Sequence, residues 1–409
     1  MTEQNLIIFD DGNGRFGPMT DMRAAFEMRT GALTTMQRIE HALQSRACAL
    51  IVPKPLQSLV ASRHSVTVNP TTQKLNGSNY LLVNGRWSGI SDVENICALS
   101  INEALVQPDG QLIAARFDQQ SLHRAVDEHD WREVDGVVTK NANANVLYDR
   151  PWHVLDQLES ALTSDLSLFD LPLASTEIAV NGSCDVKVAN DANFVSAPNT
   201  LIIAEGGPVV IDRGALIGAM TVLEGPCYIG PNSVIGHHAS IRPNSIVGPM
   251  CKVSGEVSFS VMHGHSNKAH HGYLGHSLVG EWVNLGAATN VSNLKNTYGS
   301  VRVQLERGGE VEDTGRTFHG PIVGDFVRTG IGTRLLTGSC IGTGAMVAVG
   351  SYPPKLIDRF AFLTDDGADA TNMDKFISTA RLMMARRDCE LTDAEEQRLL
   401  SLAASSTRV

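Results

Sequence analysis

Residues 211–259 read IDRGALIGAMTVLEGPCYIGPNSVIGHHASIRPNSIVGPMCKVSGEVSF, with an apolar residue at every sixth position. The apolar positions are Ile211, Ile217, Leu223, Ile229, Ile235, Ile241, Val247, Val253 and Phe259. An amphipathic helix repeats its apolar residues every three or four positions and a half-buried strand every second, so neither produces this period. A parallel β-helix does, because each hexapeptide forms one side of a triangular coil and successive coils pair through their backbones. The stretch therefore predicts a prism whose interior holds the apolar residues.

The repeat continues beyond this stretch. Its register returns at Val279, Leu285 and Val291, and then at Val323, Thr329, Leu335, Ile341 and Val347. Two interruptions, at about residues 260–278 and 292–322, separate these runs and are expected to project from the prism as loops. Pro353 and Pro354 cannot donate backbone hydrogen bonds to a sheet. The β-helix is therefore predicted to occupy residues 201–354.

The remaining sequence predicts three further segments. Residues 1–165 alternate short apolar runs with helical stretches, which predicts an α/β domain with a largely parallel sheet. Residues 166–200 are expected to form a linker. Residues 355–409 are expected to form a helical tail with helices at 373–387 and 392–404. Thr392 and Glu395 have the spacing of a capping box at the start of the second helix.

Composition excludes several classes of partner. The chain has 409 residues, of which 43% are hydrophobic, and a net charge of −11. Such an acidic balance argues against nucleic acid and against an anionic membrane surface. No apolar run is long enough for a membrane span, and the start lacks the basic region of a signal peptide, so a cytoplasmic location is expected. The seven cysteines are scattered without a CxxC motif, as expected for reduced thiols.

The two interruptions hold the densest polar sequence. Transfer of an acyl group from a thioester to an amine requires a base for the amine proton and polar groups that hold the acceptor and the developing oxyanion. His270 or His271 suits the first task, with Lys268, Tyr273 and Asn293 nearby in sequence. These histidines are alternatively ordinary solvated loop residues.

A zinc site is a competing interpretation of the same histidines. His265 and His270 form one H-x4-H pair, and His271 and His276 form another. Some β-helix hydrolyases of the carbonic anhydrase type bind zinc between subunits through three histidines that include such a pair. A third ligand would have to come from the 237–238 histidine pair. A third possibility is a non-catalytic trimeric scaffold.

The N-terminal domain offers a candidate phosphate or metal site. Asp10 and Asp11 directly follow the first apolar strand, where α/β sheets hold phosphates or a metal such as Mg²⁺. Arg15, Arg23 and Arg29 are candidates for binding phosphate through their guanidinium groups. Acidic residues followed by glycines are equally consistent with a plain turn.

Residues 255–301, GEVSFSVMHGHSNKAHHGYLGHSLVGEWVNLGAATNVSNLKNTYGSV, carry a family resemblance through the blocks SNKAH, GEW, NLGA and SNLKN. Near the N-terminus, the spacing of Phe9–Asp11, Arg15, Pro18, Thr20, Arg23, Glu27, Arg29, Gly31, Leu33 and Thr34 fits the same family, as do residues 83–86 and 151–152. The chain closely resembles the alternative bacterial GlmU-like family of bifunctional UDP-N-acetylglucosamine diphosphorylases and glucosamine-1-phosphate N-acetyltransferases. The resemblance covers nearly the whole chain and is weakest in the helical tail.

The resemblance implies a nucleotidyltransferase-like α/β domain, Rossmann-like in class, followed by a left-handed β-helix acyltransferase domain that forms homotrimers. It implies His270 as the catalytic base, with His271 as the close alternative, and Asn293 as the residue that orients the amine and the oxyanion. The residues implied around them are Arg242, Lys268 and Tyr273 for the acceptor, and Ala288, Gly330 and Gly332 for the thioester cofactor.

The chain departs from the better-known relatives at two places. A lysine that follows Arg242 by one coil in those relatives is replaced by Ser258 or Ser260. The phosphate-binding signature G-x-G-T-x-M is missing from the N-terminal domain, where Asp10, Asp11, Arg15, Arg23 and Lys54 either replace it or mark a domain that has lost nucleotidyl transfer.

The expected activity is acetyl transfer from acetyl-CoA to glucosamine-1-phosphate, together with uridylyl transfer from UTP, with Mg²⁺, to give UDP-N-acetylglucosamine. A monofunctional sugar-phosphate nucleotidyltransferase is the alternative within the same family.

Overall fold

The computed structural model describes residues 5–71, 75, 77–127, 131–174, 178–194 and 199–406. The chain divides into two compact units. The α/β unit comprises Met1–Gly14, Met22–Met28 and Leu33–Arg150, and the β-helix unit comprises Arg15–Asp21, Arg29–Ala32 and Pro151–Val409. The division after Arg150 falls earlier than the predicted boundary at residue 165. Two short N-terminal segments also group with the β-helix unit, which their position in the sequence does not indicate.

The described residues of the α/β unit form seven strands and four α-helices. The strands are β1 (Leu6–Phe9), β2 (Ala47–Ile51), β3 (Thr67–Val68), β4 (Asn79–Asn84), β5 (Glu103–Val106), β6 (Leu112–Asp118) and β7 (Val138–Asn141). The helices are α1 (Thr35–Ala42), α2 (Gln57–Arg63), α3 (Val93–Cys97) and α4 (Gln119–Asp127). Short 3-10 turns occur at Ala25–Glu27, Lys54–Leu56 and Trp131–Glu133.

The seven strands form one sheet in the order β3-β2-β1-β4-β6-β5-β7. All neighbours are parallel except β6, which runs antiparallel to β4 and β5. The central strands β1 and β4 are buried along nearly their whole length, as expected for strands covered on both faces. The sequence-based prediction of a largely parallel sheet is confirmed.

The β-helix unit begins with helices α5 (Pro151–Asp156) and α6 (Leu158–Ser167) and ends with α7 (Met373–Ala385) and α8 (Asp393–Ser405). Its strands are β8 (Ala179–Asn181), β9 (Val186–Val188), β10 (Asn193–Phe194), β11 (Leu201–Ile203), β12 (Val209–Ile211), β13 (Leu216–Ile217), β14 (Val222–Glu224), β15 (Cys227–Ile229), β16 (Val234–Ile235), β17 (Ser240–Ile241), β18 (Ser245–Val247), β19 (Lys252–Val253), β20 (Glu256–Ser258), β21 (Val261–Gly264), β22 (Asn267–Lys268), β23 (Tyr273–Gly275), β24 (Leu278–Glu281), β25 (Asn290–Val291), β26 (Arg302–Gln304), β27 (Val311–Asp313), β28 (Ile322–Val323), β29 (Arg328–Thr329), β30 (Arg334–Leu335), β31 (Cys340–Ile341), β32 (Met346–Ala348), β33 (Leu356–Ile357), β34 (Ala361–Thr364) and β35 (Gly367–Ala370).

These strands stack into the three faces of a prism. The first face has the order β8-β11-β14-β17-β20-β23, and the pair β25 and β30 lies beyond β23. The second face has nine strands in the order β9-β12-β15-β18-β21-β24-β28-β31-β33. The third face consists of β10-β13-β16-β19-β22 and β29-β32-β34-β35. Within each coil the chain passes from the first face to the second and then to the third, so the predicted parallel β-helix is confirmed.

The interior of the prism holds the apolar residues of the repeat, which form one continuous buried core. Eight of the nine positions that define the period, Ile211 through Val253, are at most 1% exposed. Phe259 is the exception and corrects the prediction. The interior positions after Val253 are Val257 and Met262, and Phe259 lies at a corner with a φ of 47°. The sides of the coil are therefore shorter here than six residues.

Two predicted boundaries of the β-helix also need correction. The strands β8, β9 and β10 pair in parallel with β11, β12 and β13, so a first coil lies within the segment predicted as a linker. At the other end, β33 and β34 continue the second and third faces beyond residue 354. Residues 260–278 form regular strands on all three faces rather than a projecting loop. The second interruption does project, and contains the antiparallel hairpin β26–β27.

The three corners of the prism differ in character. The histidine corner joins the third face to the first through residues 218–221, 236–239, 254–255, 269–272, 286–289 and 330–333. The insertion corner joins the first face to the second through residues 225–226, 242–244, 259–260, 276–277 and 292–321. The helix corner joins the second face to the third through residues 212–215, 230–233, 248–251, 265–266, 282–283, 324–327, 342–345 and 358–360.

The C-terminal helices pack on the helix corner. Phe376 of α7 meets the ring of Phe326 at 6.0 Å and that of Phe360 at 5.4 Å, both edge to face. Thr392 accepts a hydrogen bond from the Glu395 N–H at 3.2 Å, and the Glu395 carboxylate accepts from the Thr392 N–H at 3.0 Å. The predicted capping box of α8 is therefore confirmed. Among the described residues, every helix is too short or too polar to cross a membrane.

Candidate functional site

A cleft of about 910 Å³ opens at the carboxyl end of the sheet in the α/β unit. It is lined by the loops that follow β1, β2 and β3, and by Gln111, Trp131 and Arg132. The strand order reverses at β1, which lies between β2 and β4, and open α/β sheets bind ligands at such a point. Lys54 and Arg132 supply positive charge, and the Arg132 Cζ lies 5.1 Å from the centroid of Trp131. These groups suit an anionic ligand that carries a flat ring.

Asp10 lines this cleft, but its carboxylate binds backbone groups. Its Oδ1 accepts a hydrogen bond from the Gly12 N–H at 3.0 Å, and its Oδ2 accepts one from the Ala25 N–H at 2.8 Å. Gly12 has a φ of +69°, a conformation that glycine adopts without strain. Burial raises the pKa of Asp10, although the two backbone hydrogen bonds oppose that rise. The carboxylate therefore fixes the loop that follows β1.

Asp11 forms a buried ion pair with Arg86. The Arg86 Nε and Nη2 lie 2.9 and 2.6 Å from the two carboxylate oxygens, and Asn84 donates to Oδ2 at 3.0 Å. Burial acts to raise the pKa of Asp11, but the Arg86 guanidinium outweighs it, so the pKa is lowered. The Arg86 side chain is completely buried and also pairs with Asp149. Residues 83–86, which carry part of the family resemblance, thus hold the β1 loop against the end of β4.

These contacts bear on the predicted metal site. All four carboxylate oxygens of Asp10 and Asp11 accept hydrogen bonds from protein groups. Each carboxylate oxygen can accept two hydrogen bonds. Asp11 uses both at each oxygen, through Asn13, Asn84 and Arg86, whereas each oxygen of Asp10 accepts only one. No group of three histidine, cysteine, aspartate or glutamate side chains that could hold a metal occurs among the described residues. Asp11 therefore has no lone pair left for Mg²⁺ in this arrangement, and the role of Asp10 as a metal ligand stays a prediction.

The three arginines predicted to bind phosphate lie apart from the lining of the cleft. Arg15 belongs to the β-helix unit, where its Nη2 lies 2.9 Å from the carboxylate of Glu312. Arg29 belongs to the same unit and donates from Nε to the carbonyl of His263 at 3.2 Å. Arg23 is buried in the α/β unit and is 2% exposed. None of the three is among the described residues that line the cleft. Lys54, by contrast, lines it.

A second candidate site lies on the first face of the prism. Tyr273 begins β23, and its hydroxyl accepts a hydrogen bond from the Asn293 Nδ2 at 2.8 Å. The same Nδ2 lies 2.8 Å from the Nδ1 of His276. Gly275 leaves room for the Tyr273 ring in this position, because a Cβ at residue 275 would lie 2.1 Å from the Tyr273 hydroxyl oxygen. Tyr273 and Asn293, predicted from sequence to act together, are therefore in direct contact.

His270 and His271 lie one corner away from this pair. Both are exposed in the turn between β22 and β23, on the histidine corner. Gly272 follows with a φ of +126°, and a Cβ there would lie 2.2 Å from the carbonyl oxygen of Thr289 in the next coil. The close stacking of coils at this point fixes the backbone that carries the two histidines. Their side chains remain accessible to a ligand.

Lys268 occupies an interior position, paired in register with Val253. Its side chain is almost completely buried, and Nζ donates to the carbonyl of Ser254 at 2.8 Å and to that of His270 at 3.2 Å. Burial lowers the pKa of Lys268 to about 8, although the charge of Glu256 opposes this. The predicted contact of Lys268 with an acceptor sugar disagrees with this position, because the ammonium group instead supports the turn that carries His270.

The other predicted site residues lie on neighbouring parts of the same surface. Arg242 is half-exposed on the insertion corner, 3.2 Å from the carboxylate of Glu256. Ala288, Gly330 and Gly332 lie together on the histidine corner, where the Gly332 N–H donates to the carbonyl of residue 287 at 2.7 Å. Arg242 thus lies at one edge of the first face and the three small residues lie at the other.

An aromatic cluster that sequence analysis did not identify flanks Asn293. The His276 ring is stacked between Phe259, at 4.8 Å, and Phe318, at 5.1 Å. Arg316 lies over Phe259, with its Cζ 5.7 Å from the ring centroid. Burial, together with the charges of Arg316 and His319, lowers the pKa of His276 to about 4. Residues 259 and 276 are separated by 17 positions, close to one full coil, and this spacing is the signal that could have revealed the stack.

The histidines of the competing zinc interpretation are divided among all three corners. His270 and His271 lie on the histidine corner with the 237–238 pair, and His276 lies on the insertion corner. His265 lies on the helix corner, where it stacks on Trp282 at 4.4 Å. Each predicted H-x4-H pair is therefore split between two corners.

Comparison with known proteins gives two kinds of match. Residues 6–171 match the family described as Sugar nucleotidyl transferase. The bifunctional sugar-1-phosphate nucleotidylyltransferase/acetyltransferase of Sulfurisphaera tokodaii is 37% identical over 104 residues, which cover 25% of this chain and 24% of that protein. The chain thus matches about a quarter of the length of this relative.

Two solved structures are similar at lower identity. The hexapeptide transferase family protein from Anaplasma phagocytophilum is 16% identical and covers 56% of this chain and 94% of its own, with a TM-score of 0.22. The UDP-N-acetylglucosamine acyltransferase of Francisella novicida is 10% identical and covers 56% of this chain and 91% of its own, with a TM-score of 0.27. The family match and the curated relative together indicate a transferase, and the similarity to sugar nucleotidyl transferases lies in residues 6–171.

Proposed function

We propose that the β-helix unit transfers an acetyl group from acetyl-CoA to the amine of glucosamine-1-phosphate. The observation that carries this proposal is the hydrogen bond between Tyr273, which follows the corner that bears His270 and His271, and Asn293, which begins the insertion corner. This transfer requires a base for the amine proton, polar side chains that hold the acceptor, and a surface that the substrates can reach. The Sulfurisphaera tokodaii relative, which is named as both a nucleotidylyltransferase and an acetyltransferase, is consistent with it.

In the proposed reaction, the amine nitrogen attacks the thioester carbonyl, the new C–N bond forms and the C–S bond breaks. His270, or His271 in its place, accepts the proton that the amine loses, and the leaving thiolate takes up a proton to become a thiol. Asn293 holds the amine in line with the carbonyl, and Tyr273 donates its hydroxyl hydrogen to the acceptor. Arg242 at the edge of the face binds the sugar phosphate.

The cofactor half of this site is proposed along the histidine corner. Ala288, Gly330 and Gly332 present little side-chain bulk there, which leaves room for the chain of acetyl-CoA. Ile331 is 84% exposed on the same corner and Met220 is 55% exposed, as expected for apolar residues that a neighbouring subunit covers. We therefore propose a homotrimer in which this groove is completed by a second protomer, with small-molecule substrates and a cytoplasmic location.

The α/β unit is proposed to transfer a uridylyl group from UTP to the sugar phosphate, giving UDP-N-acetylglucosamine. The family match to residues 6–171 and the cleft at the reversal of strand order support this activity. Lys54 and Arg132 would bind phosphates, and Trp131 would stack on the base. Mg²⁺ is proposed as the cation that accompanies the triphosphate, with Asp10 as its candidate ligand.

One experiment tests both activities. The protein is incubated with glucosamine-1-phosphate, acetyl-CoA, UTP and Mg²⁺, each component is omitted in turn, and the products are identified by mass spectrometry. The proposal predicts N-acetylglucosamine-1-phosphate without UTP and UDP-N-acetylglucosamine with all four components. The absence of acetylated sugar from every mixture would refute the acetyltransferase.

The identity of the base is tested by substitution. His270→Ala is expected to lower the acetylation rate by at least about 100-fold, the scale for loss of a general base, and His271→Ala to change it much less. The reverse ranking would transfer the role to His271. Full activity in both variants would show that neither imidazole takes the proton.

A nucleotidyltransferase without acetylation is the second candidate, because the family match is confined to residues 6–171. Thermal shift separates the candidates, since a ligand that binds only the folded chain raises the melting temperature. UTP alone should stabilise a monofunctional enzyme, whereas acetyl-CoA should also stabilise a bifunctional one. Neither ligand would stabilise a pure scaffold, and stoichiometric zinc in elemental analysis would favour the hydrolyase.

A further inference from the structure

His276 is placed to determine which way the amide of Asn293 faces. An asparagine amide has two N–H donors on Nδ2 and one acceptor, Oδ1, on the opposite branch of a planar group. Nδ2 lies 2.8 Å from the Tyr273 hydroxyl and 2.8 Å from the His276 Nδ1, so both donors are used. Within the described residues Oδ1 has no hydrogen-bond partner. It is the one polar atom of this side chain left for a ligand.

The opposite orientation of the amide would require a different tautomer of His276. If Oδ1 took the two contacts, the Tyr273 hydroxyl and the His276 Nδ1 would both have to donate a hydrogen. With a proton on Nε2 instead, Nδ1 offers a lone pair and only an N–H of Asn293 can satisfy it. The tautomer of one ring therefore selects which end of the amide faces the acceptor.

The surroundings of His276 favour a neutral, immobile ring. Phe259 and Phe318 stack on its two faces, with interplanar angles of 9° and 24°. Arg316, whose side chain is largely buried, and His319, which is completely buried, are the charged and titratable groups whose electrostatic effect on the ring is resolved. A second positive charge beside Arg316 is unfavourable, and burial acts in the same direction, consistent with the lowered pKa of about 4.

We propose that His276 is a positioning residue for acetyl transfer, whose unprotonated Nδ1 fixes Asn293 with Oδ1 facing the acceptor amine. This inference rests on the proposed acetyltransferase activity. An amine nitrogen that donates one hydrogen to Oδ1 keeps its lone pair free to attack the thioester. The Tyr273 hydroxyl accepts from Asn293 and so has its own hydrogen to donate. The face thus presents one acceptor and one donor to the amino sugar.

Two substitutions separate this role from simple packing. His276→Phe keeps an aromatic ring in the stack but removes the acceptor nitrogen. The left-handed backbone at this position, with a φ of 50°, accommodates phenylalanine elsewhere on the same corner, since Phe259 has a φ of 47°. His276→Asn keeps an acceptor close to the position of Nδ1, and asparagine tolerates the left-handed conformation well.

Steady-state kinetics should divide the two variants. His276→Phe is expected to lower kcat/KM for glucosamine-1-phosphate by about 10- to 100-fold, the scale for a misplaced reacting group, while the KM for acetyl-CoA stays within about threefold. His276→Asn is expected to recover most of the lost activity. Wild-type kinetics in His276→Phe, or equal losses in both variants, would overturn the proposal.

The tautomer is measured without any reliance on activity. In protein labelled with ¹⁵N-histidine, the resonance lost in His276→Asn identifies the ring. A chemical shift typical of an unprotonated Nδ1 at neutral pH supports the proposal, and one typical of a protonated Nδ1 overturns it. If the wild-type protein acetylates no sugar, the proposed function fails, and this measurement still decides how Asn293 is held.

Discussion

Replacement of Lys268 by methionine should change how the stability of the protein depends on pH. Lys268 takes an interior position of the repeat, where its neighbours in the stack are apolar, and its pKa falls to about 8 from an ordinary value of 10.5. Between these two values the unfolded chain binds a proton that the folded chain has released. The free energy of unfolding contributed by Lys268 therefore rises with pH through this window.

The size of the effect follows from the shift in pKa. Each unit corresponds to about 1.4 kcal/mol, so the window from pH 8 to 10.5 corresponds to about 3 kcal/mol for a side chain that is almost completely buried. Methionine has a similar length and no charge, so Lys268→Met should lack this contribution at every pH. The loss of the hydrogen bonds to the carbonyls of Ser254 and His270 adds an offset that changes little with pH.

The assay is equilibrium unfolding in urea, followed by far-ultraviolet circular dichroism, for both proteins at several pH values from 7 to 10.5. Other lysines, tyrosines and cysteines titrate in both proteins, so their effects cancel in the difference between the two. Wild type should gain about 3 kcal/mol relative to Lys268→Met over this range. A difference that stays constant within about 1 kcal/mol would refute a buried lysine with a lowered pKa.

Three further substitutions test other contacts. Asp11→Asn leaves the buried guanidinium of Arg86 with one carboxylate fewer. The free energy of unfolding measured in urea should therefore fall by about 3 kcal/mol. A change below about 0.5 kcal/mol would contradict the ion pair. Gly275→Ala should displace the Tyr273 ring and lower kcat/KM for acetylation by at least about tenfold, while the melting temperature stays nearly unchanged. Full activity in this variant would show that the position of the ring is unimportant. Thr392→Ala should lower the free energy of unfolding by about 1 kcal/mol and speed amide hydrogen exchange in the first turn of α8. Unchanged exchange would argue against the capping role of Thr392.

The interior residues of the prism can be predicted from the sequence because the apolar residues of the repeat recur with a long and regular period. Ile211 through Val253 fill successive sides of equal length, so counting by six finds each of them. Counting fails at Phe259, where two sides of the coil contain fewer residues and Val257 takes the interior position. A shortened side leaves no mark in a single sequence, since an apolar residue at a corner resembles one inside. The same limitation made residues 260–278 resemble an insertion.

The first coil of the β-helix is not predicted from the sequence, for a different reason. Its strands β8 and β10 contain exposed or half-exposed residues, and Asn181 and Asn193 are polar where the next coil carries Ile203 and Leu216. An end coil has a neighbour on only one side, so it buries less apolar surface and its hexapeptide pattern is weak. The coil is recognised by its backbone pairing with β11, β12 and β13, which needs coordinates.

The candidate site was predicted in part. Tyr273 and Asn293 were identified from their residue types, but the third member, His276, was considered only as a metal ligand. Its contact with Asn293 spans 17 positions, about one turn of the coil, and depends on the register that the shortened sides alter. Arg15 and Arg29 were assigned to the N-terminal domain by their place in the chain. Their packing in the β-helix unit joins segments about 230 or more residues apart, which no local pattern records.

The antiparallel pairing of β35 with β34 has a consequence for how large the particle can grow. The last strand of a parallel stack leaves backbone N–H and C=O groups unpaired, and a strand of another molecule can pair with them and start a polymer. Here β35, the last strand of the third face, runs antiparallel to β34. It carries Asp369 and follows a turn that contains Asp365 and Asp366. Two copies meeting end to end at this edge would bring carboxylates against carboxylates. The carboxylates therefore make this edge of the third face unfavourable for the addition of a second copy of the molecule.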